Sequence, residues 1–251
     1  RNELGELETP AVATCVEAFH AFAASVRLVD DAYLPRLLHR GRAVFEGAQG
    51  VLLDEWHGFH PYTTWSTTTF ANAEALLAEA GLAGGATRLG VLRTYATRHG
   101  PGPFVTEDPA LTASLPDRHN TLGRWQGGFR VGHFDAVAFR YALEVCGSAD
   151  ALALTHLDVA QARADLRICS AYEIGGRRVE RLPVRTPGDL DHQERLTRRL
   201  LTARPLYDQV AGWWIETIGD VLEIPIVLGS YGPTVAGKRE LRTQTGRGVA
   251  A

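Results

Sequence analysis

Three short apolar runs in this chain stop abruptly in polar or glycine-rich loops. Residues 43–46 (Ala-Val-Phe-Glu) run into Gly47-Ala48-Gln49-Gly50, and residues 151–155 (Ala-Leu-Ala-Leu-Thr) into His156-Leu157-Asp158. Residues 224–228 (Ile-Pro-Ile-Val-Leu) run into Gly229-Ser230-Tyr231-Gly232-Pro233. Short, uninterrupted apolar runs are the signature of strands covered on both faces, as parallel sheets require. Helical periodicity lies between them. The chain therefore reads as an α/β fold with a mostly parallel central sheet flanked by helices. In such sheets ligands bind beyond the carboxyl ends of the strands. Loops there offer backbone N–H groups and a few side chains, enough for a site of nucleotide size.

The other expected elements follow from spacing. Residues 9–28 read as an amphipathic helix capped by Thr9 with Pro10 in its first turn. Val12, Cys15, Val16, Phe19, Phe22 and Val26 make its apolar stripe. A Thr-rich turn at 63–69 leads into a helix near 71–81, and residues 88–96 read as a strand. Asp135 is placed to cap a helix that reaches Cys146 and ends at Gly147. Residues 166–173 and 177–185 alternate as a hairpin about Gly175-Gly176. A charged helix follows over 189–203, then another over 206–222.

Composition narrows the functional classes. A net charge of −3 argues against a general nucleic-acid or anionic-membrane binder. No apolar run approaches the roughly 20 residues of a membrane span. Three dispersed cysteines, Cys15, Cys146 and Cys169, form no CxxC pair, which fits a reducing, cytoplasmic setting. The chain holds no Met and begins Arg1-Asn2-Glu3, which reads as a protein whose N-terminal segment is missing. His57 and His60 with Asp54 lack the further ligands that zinc prefers, so no metal site is read there. Arg195, Arg198 and Arg199 read as a solvated helix face, Trp213-Trp214 as core or interface packing, and Phe134, Val137 and Tyr141 as core.

Five segments, in order, resemble the adenylosuccinate synthetases. Phe45-Glu46-Gly47-Ala48-Gln49-Gly50, continuing to Leu52-Leu53-Asp54, is similar to that family's "FEGAQG…LLD". His57 to Thr64 resembles "HGTYPYVT", and Gly100 to Glu107 resembles "GAGPFPTE". Thr155-His156-Leu157-Asp158-Val159 resembles "TKLDV", and Ser230-Tyr231-Gly232-Pro233 resembles "STGP". The resemblance implies one P-loop-NTPase-like domain over residues 1–251, without the family's N-terminal phosphate loop. It implies a carbon–nitrogen ligase of purine biosynthesis that joins L-aspartate to C6 of inosine monophosphate (IMP), with GTP as co-substrate and Mg2+. A purine carbonyl oxygen leaves poorly until phosphorylated, which is why a triphosphate is needed. A cytoplasmic homodimer, with no nucleic acid and no membrane, is also implied.

Residue roles carry over position by position. Gln49 matches the glutamine that reads the acceptor purine, since an amide both donates and accepts. Thr64 matches a threonine at the nucleotide phosphate, and His99 stands where a valine lies near the ribose. Thr121, Leu122, Gly123 and Arg124 match the aspartate-holding loop, with Arg124 also reaching the ribose; a guanidinium fork suits a carboxylate. Arg130 is the choice for a second arginine, serving both the aspartate and GTP. His156, Leu157, Asp158, Ser230, Tyr231 and Gly232 match the GTP site, with Asp158 accepting from guanine N1 and N2.

The departures bear on specificity. His156 replaces a lysine beside guanine, which leaves ATP open as the donor. Trp65 replaces a serine, and the stretch after Gly123 is longer than the family's. A related phage-type branch acts on dGMP, and a modified purine is a further alternative acceptor. The catalytic base, the γ-phosphate histidine and the magnesium contacts belong to the family's N-terminal segment. No catalytic residue or metal ligand is therefore assigned in this chain, and its 251 residues alone are expected to be inactive. A non-catalytic nucleotide-binding remnant is the alternative from another class.

Overall fold

The structure is a computed structural model that describes residues 10–115, 117, 120, 122–208, 210 and 213–241. The chain divides into two compact units, Arg1–Val44 with Leu76–Gly84, and Phe45–Ala75 with Gly85–Ala251.

In the smaller unit lie α1 (Val12–Ser25), α2 (Tyr33–Leu38) and the end of α3 (Ala71–Glu79). Leu38, Leu77 and Ala80 form its buried cluster, with Leu34 and Leu82 against it. His39 Nε2 sits 3.1 Å from the Ala80 carbonyl. The spacing that predicts α1 is correct about the helix, but none of its residues is buried, and Phe19 is 73% exposed. Periodicity creates an apolar stripe; only a neighbouring surface can cover it. The predicted cap, Thr9, lies outside the described residues.

The larger unit continues with β1 (Leu89–Arg93), β2 (Ala96–His99), α4 (Pro109–Ser114), β3 (Phe129–Gly132) and β4 (Phe134–Asp135). Next come α5 (Ala136–Val145), β5 (Ala151–Thr155), α6 (Leu157–Ala162), β6 (Ile168–Ile174) and β7 (Arg177–Val179). It closes with α7 (Leu190–Leu200), β8 (Arg204–Asp208), α8 (Trp214–Leu222), β9 (Ile226–Ser230) and β10 (Lys238–Glu240). The central sheet has the order β1-β5-β9-β10, with the first three strands parallel and β10 antiparallel on β9. Every residue of β5 from Ala151 to Leu154 is buried, as an interior parallel strand demands. Its Leu152 and Leu154 pack with Phe134, Leu157, Ile218 and Leu222. A second sheet sets β6 between β7 and β8, both antiparallel to it, with β4 parallel at its start. Val137, Tyr141, Tyr172, Leu196 and Leu200 form the core beneath it.

Four expectations are corrected. Residues 43–46 form no strand, and Val44 is 94% exposed. A strand needs a neighbour for its N–H and C=O groups, and the described residues pair none with this run. The strand expected over 88–96 is two: Thr94 turns the chain out of the central sheet, its N–H on the Thr155 carbonyl at 3.1 Å, and β2 pairs with β3 instead. The helix expected over 206–222 begins only at Trp214, because residues 204–208 pair with β6 as an edge strand. Pro205 is tolerated there since an edge strand leaves one side unpaired. The last strand runs 226–230 rather than 224–228, and so ends on Ser230.

Candidate functional site

β5 and β9 are parallel neighbours, so their carboxyl ends bring two of the predicted loops side by side. At the end of β5, His156 takes a left-handed backbone conformation (φ 61°) and caps α6. Its carbonyl accepts from Thr94 Oγ1 at 2.9 Å, and its Nδ1 lies 2.9 Å from Thr155 Oγ1. Burial, then the nearby Arg93 charge, pushes the His156 imidazole below its ordinary value, so the ring is neutral at pH 7. Leu157 points into the core, while Asp158 stands exposed in the first turn of α6.

At the end of β9, Ser230 Oγ donates to the Gly232 carbonyl at 3.2 Å, and Lys238 Nζ donates to the same oxygen at 2.6 Å. The Tyr231 N–H donates to Gly237 at 2.8 Å, and Arg239 lies 4.8 Å over the Tyr231 ring. His156, Leu157, Asp158, Ser230, Tyr231 and Gly232, the expected GTP-site residues, thus lie at the same end of adjacent strands.

The residues expected on the acceptor side sit in loops that are tied to one another. Arg98 on β2 is buried, with Nε on the Pro101 carbonyl at 3.0 Å and Nη2 on the Tyr62 carbonyl at 3.1 Å. Burial, with Arg130 nearby, lowers its guanidinium to about 10. This arginine ties the turn before Thr64 to the loop after His99. Thr64 is half-buried, its N–H on the Leu53 carbonyl at 2.8 Å. His99 packs edge-on to Phe129, and its buried Nε2 has no hydrogen-bond partner.

Arg130 faces Arg98 across the β2–β3 pair. Its donors go to the Gly100 carbonyl at 2.6 Å, the Gly102 carbonyl at 3.1 Å and Glu107 at 2.6 Å. They are taken up by the loop they hold. Gly123 and Gly127 exchange backbone hydrogen bonds of 3.0 and 3.1 Å, closing a turn that presents Arg124 to solvent beside the Trp125 ring. Leu122 is exposed, and Thr121 lies outside the described residues. Gln49 is exposed and left-handed (φ 65°), on the segment that forms no strand.

Several residues that organise these loops went unassigned from sequence. Asp54 is buried; Oδ1 accepts from the N–H groups of Trp56 and His57 at 3.0 and 3.1 Å, and Oδ2 from Thr68 N–H at 2.8 Å. Its carboxylate is engaged by the loop it organises. Tyr141 of α5 donates to the His57 carbonyl at 2.7 Å, and Gln193 of α7 donates to the Trp56 carbonyl at 3.2 Å. Gln193 is buried on a helix that reads as charged throughout, and its spacing with Leu196 and Leu200 is the signal that marked its face. Asp135 caps α5 as expected, with its carboxylate on the Ala138 N–H at 3.0 Å. Among the described residues no three His, Cys, Asp or Glu side chains converge on a metal position.

Comparison with known proteins shows which family the chain resembles along most of its length. A family model described as adenylosuccinate synthetase matches residues 2–237. An adenylosuccinate synthetase of Synechococcus sp. (strain WH7803) is 32% identical over 249 residues, covering 91% of this chain and 51% of its own length. One from Rhodococcus erythropolis is 39% identical over 187 residues, covering 70% of this chain and 39% of its own. Among solved structures, the fully ligated adenylosuccinate synthetase of Plasmodium falciparum superposes with a TM-score of 0.73 at 22% identity, over 96% of this chain and 60% of that one. A cyanophage S-2L succinoaminodeoxyadenylate synthetase, bound to dGMP with dATP as energy donor, superposes with a TM-score of 0.53 at 21% identity, over 94% and 57%. The chain spans about half the length of the Synechococcus relative.

Proposed function

The chain belongs to the adenylosuccinate synthetase family, and from that premise we propose that it forms the base-reading part of a ligase joining L-aspartate to C6 of IMP. The observation that carries this reading is the adjacency of the Asp158 loop and the Ser230–Gly232 loop at the carboxyl ends of β5 and β9. In the reaction so read, N1 of the acceptor gives up its proton, O6 attacks the γ-phosphorus of GTP, the bond to the β–γ bridging oxygen breaks, and GDP leaves. The aspartate amine then attacks C6, the C6–O6 bond breaks, phosphate leaves and the nitrogen loses a proton.

The residues of this chain position the reactants. Asp158 accepts from guanine, Gln49 reads the acceptor base, Thr64 holds its phosphate, and Arg124 meets the aspartate carboxylate. The buried, unpartnered Nε2 of His99 supplies a polar contact at the acceptor. Magnesium accompanies the triphosphate in this reading. The described residues offer it no ligand cluster, so no step is assigned to a metal ion on this chain. A cytoplasmic homodimer completes the reading, which the family membership supports.

Calorimetric titration of the 251-residue chain with IMP, beside a turnover assay containing IMP, aspartate, magnesium and GTP, tests it. IMP binding that is lost in Gln49→Ala supports the reading. Equal binding by the variant would overturn the placement of the acceptor. Running dGMP in parallel assigns the acceptor purine.

A further inference from the structure

We infer that the cleft where α5 and α8 end is a binding site for a zwitterionic amino acid with an aliphatic side chain. The cleft lies where β5 and β9 begin, at the opposite end of the central sheet from the expected donor loops. It therefore stands apart from both the donor and the acceptor readings.

The cleft has a volume of about 380 Å³, and Arg140, Leu143, Ser148, Arg181, Val221 and Glu223 are among the residues that line it. Small-molecule pockets span roughly 300–1,000 Å³, so this one suits a molecule of amino-acid size. Its floor is apolar: Leu143, Val221 and Ile224 pack on the central core yet stay only partly buried. Its charges are of both signs. Arg181 and Glu144 pair at 2.5 Å and neutralise each other. Arg140 sends Nε to the Val221 carbonyl at 3.2 Å, and Nη1 to the Ser170 and Glu180 carbonyls at 3.1 and 3.4 Å. Among the described residues, neither Arg140 nor Glu223 has an ion-pair partner, and Nη2 of Arg140 keeps its donors free. One unmatched cation and one unmatched anion over an apolar floor complement a molecule that carries an ammonium, a carboxylate and an aliphatic body.

The backbone marks the same place. Among the described residues, the non-glycine positions with a left-handed backbone are Gln49, Ser148, His156 and Glu223. Gln49 and His156 belong to the expected nucleotide loops. Ser148 (φ 79°) and Glu223 (φ 59°) both line this cleft. Such strain gathers at ligand sites. Glu223 ends α8, where glycine is the usual left-handed residue. A carboxylate there also faces the negative end of the helix dipole. Neither feature helps the fold, and together they set an anion at the mouth of the cleft. The ligand's ammonium meets Glu223 and the carboxyl ends of two helices, its carboxylate meets Arg140 Nη2, and its side chain covers Leu143 and Val221.

Leucine is the probe, titrated into the 251-residue chain and followed by backbone amide signals in nuclear magnetic resonance. The expected result is that leucine moves the amides of Ser148, Glu223 and Ile224. Isoamylamine and isocaproate, which each lack one of its charges, should bind about tenfold more weakly or worse. Glu223→Gln, whose side chain is exposed and whose fold is checked by circular dichroism, should weaken leucine about tenfold. Glu223→Gly relieves the left-handed strain, so it should raise the thermal midpoint while weakening leucine at least as much. If leucine moves none of these amides at concentrations near its solubility limit, the site is overturned. If either single-charge analogue binds as tightly as leucine, recognition of a zwitterion is overturned. If aspartate moves the same amides at the same midpoint, the requirement for an aliphatic body is overturned. Leucine binding unaltered in both Glu223 variants would overturn the charge argument and the proposal with it.

Discussion

The hydroxyl of Tyr172 lies 2.7 Å from both carboxylate oxygens of Asp135 in the buried interior beneath β6. Burial raises Asp135 to about 6 despite that donor and the Ala138 N–H. A carboxyl whose folded value exceeds its unfolded value of about 3.9 binds more protons when folded. Stability should therefore be highest below pH 4 on this account and fall as pH rises through about 6. Asp135→Asn should flatten that part of the profile, measured as urea midpoints between pH 4 and 7. Tyr172→Phe removes one donor from a buried carboxylate and should cost about 2 kcal/mol at pH 7.

Asp54 spends its carboxylate on three backbone N–H groups. Asp54→Ala should destabilise the chain by about 3 kcal/mol, since three partly buried donors lose their acceptor at once. Hydrogen exchange should quicken first at the amides of Trp56, His57 and Thr68. Unchanged exchange there would mean the loop is held by its ends.

Arg98 joins the Tyr62 and Pro101 carbonyls from a buried position. Arg98→Met keeps the stem and removes the donors. The expected cost is about 2 kcal/mol, with IMP affinity reduced more than GDP affinity, because the bolt lies on the acceptor side.

Gly229→Ala places a methyl group against Leu157 and Tyr231. A stability loss of about 1 kcal/mol is expected, with weaker GDP binding and unaltered IMP binding. Calorimetric titration with each nucleotide separates the two effects.

Gln49 sits at φ 65°, where a side chain with a Cβ is strained. Gln49→Gly should leave stability unchanged or raise it by about 1 kcal/mol while acceptor binding is lost. A gain in thermal midpoint together with a loss of IMP binding is the expected pair of readings.

Sequence was most legible where the period of a segment and its surroundings agree. The apolar run 151–155 is an interior strand, and Asp135 caps the helix expected of it. It was least legible where long-range pairing decides. Residues 206–208 read as the start of a helix yet pair with β6, and residues 43–46 carry a strand pattern yet pair with nothing described. The loops after β5 and β9, which the motifs mark, lie side by side because strand ends fix them. Arg98, Asp54 and Gln193 each also hold a backbone group far along the chain, at Tyr62, Thr68 and Trp56, and a single sequence holds no mark of such a reach.

The central sheet's parallel pairs join segments far apart in the chain: Leu89 registers with Ala151, and Leu152 with Ile226. Neither pair can form by a local turn, so closing each carries the loop-entropy cost of a long excursion before any strand contact repays it. The loops after β5 and β9 therefore come together late in folding. A ribosome-bound chain arrested before β9 would hold the acceptor-side loops but bind no donor, and the onset of nucleotide binding during refolding would time the closure of this sheet.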